Sequence, residues 1–235
     1  MRLAEILFTQ GFGTRRECVA RVCHGEVTIA GDVHDDPDED LDTATLVFTV
    51  GGRDWPCRDK ALVLLHKPAA YECSMKPRHH PSVMSLLPAP LRTRGLQPVG
   101  RLDQDTTGLL LLTDDGALIH RLTSPKRHVP KTYEVVAKHP VSAAQIQALH
   151  DGVVLDDDPS PVRAQAVEQT GERTLRLTLT EGRYHQVKRM VAAAGNRVDA
   201  LHRSRVGALE LPADLAPGQW RWCDPTDVLP QGPCR

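Results

Sequence analysis

Four consecutive leucines at residues 109–112 follow Gly108 and end at Thr113. A strand with one wet face alternates apolar and polar residues, so this run has to be covered on both faces. It predicts a central strand with protein on either side. Asp114, Asp115 and Gly116 supply a turn after it, and ALIHRLTSP reads as a short helix stopped before Pro125. Just upstream, Gly-Arg-Leu-Asp at 100–103 puts Asp103 in a loop feeding that strand. Loop residues held by a rigid scaffold are favoured places for chemistry. An acid that only caps a turn fits the same spacing.

Other segments extend the pattern. ALVLLHKP reads as a second buried strand ending at Pro68. TLRLTLTEG alternates like a half-buried strand and breaks at Gly182. In RYHQVKRMVAAAG, Val187, Met190, Val191 and Ala194 form a helical apolar stripe that ends at Gly195. Arg183, Tyr184, His185 and Lys188 crowd the start of that helix, a natural anion site. PKRHVPKTY adds Lys126, Arg127, His128 and Lys131 beside Tyr133. Residues 71–95, rich in proline and basic side chains, read as an ordered loop, and 51–60 as a linker.

The start of the chain reads as a small module. Thr14 stands three residues before Glu17, a capping-box signature, and Val19, Val22 and Cys23 recur at helical spacing. Gly25 ends the helix and EVTIAG alternates like a short strand.

Charge is unevenly spread. The whole chain carries a net −1, but residues 1–59 carry −6 and the remainder +5. The acids of the first part concentrate in GDVHDDPDEDLD, while Arg2, Arg15, Arg16 and Arg21 stay near its helix. A basic face is therefore a local matter. With 40% hydrophobic and 25% charged residues, and no membrane-length apolar run, the composition is that of a globular chain. The first residues lack a signal peptide's unbroken apolar stretch, so a cytoplasmic location is expected. The six cysteines form no CxxC pair, so reduced thiols and no metal site are expected.

Two resemblances follow from these motifs. The capping threonine, the arginines of the first turn and the Gly-x-Val-x-Ile-x-Gly strand resemble the S4 RNA-binding domain. That family normally has serine at the cap and an asparagine or aspartate before the last glycine, where this chain has Thr14 and Ala30. Gly-Arg-Leu-Asp followed by Thr-x-Gly-Leu-Leu-Leu-Leu-Thr-x-Asp-Gly resembles the signature of pseudouridine synthases. LVLLHKPAAYECS, KTYEV and EGRYHQVKRM resemble that family's remaining motifs in the expected order. TSPKRHVPKTY, Tyr184 with His185, and LHRSRVG are closest to the branch that modifies small-subunit ribosomal RNA, the RsuA-type synthases.

The resemblance implies an α+β chain. A small S4-like RNA-binding domain (1–58) would precede a mixed α/β synthase domain (59–235) with an antiparallel-rich sheet and a central cleft. It implies isomerisation of one uridine to pseudouridine in 16S ribosomal RNA, uridine 516 being the expected target. No cofactor is implied. The protein is expected to act as a monomer on ribosomal RNA or a partly assembled small subunit, with no membrane partner. The family's essential aspartate falls on Asp103, as nucleophile or base at the sugar. Its basic partner falls on Lys188, with Arg183 the fallback if the helix is rotated. Tyr133 falls on the tyrosine that stacks on the target base. Leu201 would line the pocket and Arg101 would hold the loop and the flipped nucleotide. Tyr184, His185 and Gln186 complete the expected substrate contacts. Arg15, Arg16, Arg21, Lys126, Arg127 and Lys131 are the expected RNA-binding cations. A C1′ carbon inside a duplex is out of reach, so the target has to be flipped out or unpaired.

Three alternatives stand beside this. One is a synthase of the same kind acting on large-subunit (23S) RNA. A second is a non-catalytic ribosome-assembly factor that uses the same RNA face. The third is a metal-dependent phosphoesterase with Asp103, Asp105, Asp114 and Asp115 as ligands.

Overall fold

The computed structural model describes residues 1–156 and 158–229, which leaves Cys234 outside. The chain forms two compact units. The first is Met1–Ala61 together with Leu87–Gln97, and the second is Leu62–Leu86 together with Pro98–Arg235.

In the first unit, α1 (Leu3–Thr9) and α2 (Arg15–Cys23) accompany a sheet of order β2-β1-β3-β4. Its strands are β1 (Val27–Ile29), β2 (Asp32–Val33), β3 (Val47–Val50) and β4 (Arg53–Pro56). The capping box of α2 is formed: Thr14 Oγ1 accepts from Glu17 N at 3.3 Å and Glu17 Oε2 accepts from Thr14 N at 2.6 Å. The stretch 51–60, read as a linker, instead contains β4. Gly51 and Gly52, at φ +60° and +72°, make the two-residue turn of the β3–β4 hairpin. Positive φ at both central residues is what such a hairpin turn requires.

Residues 71–95 are more structured than a loop. They contain a 3₁₀ turn (Val83–Leu86) and α3 (Ala89–Thr93). Residues Leu87–Gln97 cluster with the first unit, although sequence continuity puts them in the 59–235 part. There the Arg94 guanidinium donates to Gln10 Oε1 at 2.6 Å and to the Arg58 carbonyl at 2.9 Å.

The second unit is built on a nine-stranded sheet among the described residues, of order β11-β12-β8-β13-β7-β5-β15. Its strands are β5 (Leu62–Lys67), β7 (Thr107–Thr113), β8 (Lys131–Ala137), β11 (Ala166–Gly171), β12 (Thr174–Leu179), β13 (Val198–Val206) and β15 (Trp220–Trp222). The short β6 (Gln97–Val99) pairs with β7, and β14 (Leu209–Glu210) with β13. A separate hairpin joins β9 (Val153–Leu155) and β10 (Asp158–Val162). Among the described residues four α-helices complete the unit: α4 (Gly116–Thr123), α5 (Ala143–Asp151), α6 (Gln186–Ala193) and α7 (Pro225–Val228). No helix of the described residues is long and apolar enough to cross a membrane.

The leucine run is β7, and all four of its leucines are 0% exposed. Leu109 and Leu111 join Leu62, Leu64, Leu118 and Leu122 in one core cluster. A second cluster gathers Val135, Leu175 and Leu177 of the sheet with Leu149, Val187, Met190 and Val191 of α5 and α6. The stripe read from the sequence therefore faces the core.

All neighbouring strands on the main path are antiparallel except β13 and β7, which run parallel through Thr107 and Gly108. Gly108 has φ +106°, and a Cβ there would collide with the Arg203 backbone. Only glycine permits this close pairing. One register row then crosses the sheet through Leu177, Tyr133, Arg203, Gly108 and Lys67. Tyr133 and Arg203 of this row line the cleft.

Candidate active site

The loop that enters β7 is tied down by its backbone, which leaves its side chains available. Arg203 is only 1% exposed; its Nε donates to the Leu109 carbonyl at 2.8 Å and its Nη2 to the Gly100 carbonyl at 3.0 Å. Lys67 is fully buried at the end of β5 and donates to the carbonyls of Pro68 (3.0 Å), Gln104 (3.2 Å) and Thr106 (2.8 Å). Burial pushes the Lys67 ammonium below its ordinary pKa. The Leu102 amide donates to Cys73 Sγ at 3.4 Å, and the Thr106 amide to the Asp103 carbonyl at 3.1 Å. Charged side chains thus replace the water that these carbonyls would otherwise need.

Among the described residues the Asp103 side chain caps no turn. Its Oδ2 lies 3.0 Å from Lys188 Nζ and its Oδ1 3.2 Å from His185 Nε2. Lys188 also meets Asp105 Oδ1 at 2.7 Å. The Asp103 and Lys188 side chains are 27% and 26% exposed, so the pair is shielded but still reached by water. Burial works against the charge on Lys188, yet its two carboxylate partners raise its pKa above the ordinary value. Burial also opposes ionisation of Asp105, and the Lys188 hydrogen bond and charge outweigh it, holding that carboxyl below its usual range.

The element that supplies these partners begins later than the sequence suggests. α6 starts at Gln186, and Arg183, Tyr184 and His185 lie before it. His185 is its N-cap at φ +47°, a left-handed conformation that costs a non-glycine residue about 1–2 kcal/mol. That turn brings the imidazole to Asp103. Gln186 is 4% exposed and works within the loop: its Oε1 accepts from Arg183 N at 2.8 Å and its Nε2 donates to Glu181 Oε1 at 3.0 Å. The Arg183 guanidinium lies 3.4 Å from Glu181, so Lys188, not Arg183, is the cation on Asp103.

A cleft of about 890 Å³ surrounds the pair. Arg101, Tyr133, Lys131, Leu201 and Arg203 line it with Asp103 and Lys188. Tyr184 is 74% exposed and stacks on His185, with ring centroids 3.8 Å apart at 19°. On another wall, Glu72 accepts the backbone amides of Arg78 (3.1 Å), His79 (2.9 Å) and His80 (3.0 Å). Those amide bonds hold its carboxyl below the ordinary value.

The remaining sequence candidates are dispersed. Lys126 and Arg127 are exposed on a 3₁₀ turn. Lys131 is 7% exposed and belongs to the cleft rather than to an open surface. In the first unit Arg15 and Arg16 are exposed, Arg15 lying 4.3 Å over the Phe8 ring. Arg21 pairs with Glu26 at 2.7 Å. The four-carboxylate metal alternative fails on geometry. Asp103 and Asp105 precede β7, whereas Asp114 and Asp115 follow it, about 20 Å further along an extended strand. Asp115 instead caps α4 through Ala117 N and Leu118 N. The five described cysteines are free.

Lys67, Arg203 and Glu72 were not singled out from the sequence. HKP at the end of an apolar strand was the available signal for Lys67. Nothing local distinguishes Arg203 from the other cations of LHRSRVG.

The geometry defines a class of protein, and similarity agrees with it. Residues 61–193 match the RNA pseudouridylate synthase family. The chain is 42% identical over 230 residues to ribosomal small subunit pseudouridine synthase A of Yersinia pestis, covering 94% of each chain. It is 40% identical over 225 residues, again 94% of each, to the uncharacterized RNA pseudouridine synthase YtzG of Bacillus subtilis (strain 168). A crystal structure of a pseudouridylate synthase superposes with a TM-score of 0.69 at 32% identity, covering 97% of this chain and 98% of that one. The chain belongs to the RNA pseudouridylate synthase family, isomerases that convert uridine to pseudouridine within RNA.

Proposed function

We propose that this enzyme converts a single uridine of small-subunit (16S) ribosomal RNA to pseudouridine, uridine 516 being the target, with Asp103 as the reacting carboxylate. The observation that carries the assignment of Asp103 is its ion pair with Lys188 at 3.0 Å inside the cleft, on a loop whose backbone is held by Lys67 and Arg203. Lys188 and His185 hold the carboxylate in place, aimed at the sugar. Tyr133 and Leu201 pack against the flipped uracil, and Arg101 helps hold the nucleotide in the cleft. The exposed Tyr184–His185 stack offers a ring face to a neighbouring base, a common way of reading unpaired RNA.

The small-subunit reading is supported by relatives named ribosomal small subunit pseudouridine synthase A at 42% identity over 230 residues and 46% over 158. We assign the S4-like module, with exposed Arg15 and Arg16, to sequence-independent contacts with RNA phosphates. Lys126 and Arg127 serve the same purpose beside β8.

The test is to incubate the purified protein with small-subunit RNA, partly assembled small subunits and large-subunit RNA, then map pseudouridine by chemical blocking and primer extension. One modified position in a small-subunit substrate, lost with Asp103→Asn, is expected. Modification confined to large-subunit RNA would overturn the substrate, and turnover by Asp103→Asn would overturn the residue.

A further inference from the structure

Lys131 is a buried cation that pairs with no acid among the described residues. It opens β8 two residues before Tyr133, is 7% exposed and lines the cleft. Its one hydrogen bond among the described residues is to the Val129 carbonyl at 3.0 Å, although an ammonium has three donors. The charge that acts on it is another cation, Arg203, whose guanidinium is occupied by the Leu109 and Gly100 carbonyls. A Cβ built on Gly100 would lie 3.9 Å from Lys131 Cε and 3.6 Å from Arg203 Nη1. The tip of Lys131 is therefore beside the loop that carries Asp103. Asp103, Lys188 and His185 line the same cleft, but Asp103 is already engaged by the other two.

Burying a cation beside another cation costs stability unless something offsets it. No described residue does so here. The missing partner is an anion or a dipole that arrives with the substrate.

The reaction produces such a charge. On either role of Asp103, breaking the C1′–N1 bond leaves its electron pair on the uracil, delocalised from N1 onto O2 and O4. The ring turns, C5 bonds to C1′, the C5 proton is lost and N1 takes one up, so the product is an isomer of the substrate. Between the two steps the ring carries a negative charge that the ground state lacks. A fixed cation aimed at such a charge lowers the barrier selectively.

We propose that Lys131 is a further catalytic residue, whose ammonium meets a uracil oxygen and stabilises the departing uracil anion. This rests on the synthase reading of the cleft and adds the group that receives the leaving ring. Lys131→Met and Lys131→Gln remove the charge. Under single turnover each is expected to slow isomerisation by ~100-fold, the usual effect of deleting one donor from a developing anion. RNA affinity should change by less than about threefold, since phosphate contacts dominate it. The Met variant should melt no lower than the parent, because the buried unpaired charge is gone.

Burial, reinforced by Arg203, lowers the Lys131 pKa to about 8. The parent's single-turnover rate should therefore fall as pH rises through about 8, and both variants should lose that limb. A binding measurement separates this inference from the reading beneath it. 5-Nitrouracil, an anion at neutral pH, should bind the parent at least tenfold more tightly than uracil, and Lys131→Met should abolish that preference. An unchanged rate in Lys131→Met, or an unchanged preference for 5-nitrouracil, overturns the role of Lys131. A parent protein that isomerises no uridine in any RNA overturns the synthase reading itself.

Discussion

Replacing Lys188 with methionine tests how the reacting carboxylate is kept ready. Lys188 is shared between Asp103 at 3.0 Å and Asp105 at 2.7 Å. At an effective dielectric of ~20, one such contact is worth about 5 kcal/mol of Coulomb energy. Both side chains of the Asp103 pair are roughly a quarter exposed, so screening and competing water remove about half of that. Asp103 then keeps His185 at 3.2 Å but loses the cation that fixes its position beside Asp105. A carboxylate no longer held in place by its ion pair attacks or abstracts less efficiently. The loss of about 2–3 kcal/mol predicts a drop in single-turnover rate of ~30- to 150-fold. RNA affinity, measured by filter binding, should hold within about threefold because most RNA contacts lie elsewhere. Arg183→Met removes a cation that pairs with Glu181 instead and should cost much less. If Arg183→Met slows the reaction more than Lys188→Met does, the ion pair seen here is not the working one.

Two further tests address the scaffold. Lys67→Met leaves three carbonyls, that of Thr106 buried and the other two partly so, without their donor, while relieving the burial of one ammonium. The net loss of about 3 kcal/mol should lower Tm by roughly 6–12 °C and slow turnover, and a shift under about 2 °C would contradict the tie. Glu72 has a folded pKa below its ordinary value because three amides donate to it. Its hold on residues 78–80 is therefore complete above the ordinary carboxylate range and is released as pH falls through the lower, folded pKa. The amide shifts of Arg78, His79 and His80, followed by NMR, should titrate together below pH 4.5 and stop doing so in Glu72→Gln, whereas a common midpoint at or above 4.5 would refute the assignment.

The elements most legible in the sequence are those with a repeating demand for burial. The leucines of β7 and the apolar stripe of α6 announce themselves because water excludes them whatever surrounds them. The capping box of α2 is equally local, since Thr14 and Glu17 satisfy each other within one turn. The capping box of α5, between Ser142 and Gln145, is just as local. At Gly51 and Gly52, paired glycines mark a hairpin as readily as a linker. Asp103 stood out through its motif, and the motif says nothing about which cation it meets.

That choice belongs to the tertiary structure. Lys188 rather than Arg183 reaches Asp103 because α6 begins at Gln186 and because His185 takes a left-handed turn that its residue type does not advertise. Lys67 and Arg203 look like ordinary cations in the chain. They become internal struts only because strands β5, β7 and β13 bring them against carbonyls 39 and 94 residues away. Lys131 acquires its unbalanced charge in the same way, from an arginine on the neighbouring strand of the sheet. Apolar burial is a property of a segment, and sequence carries it. The ionisation, reach and partnership of a charged group depend on distances between segments, and only the closed sheet sets those.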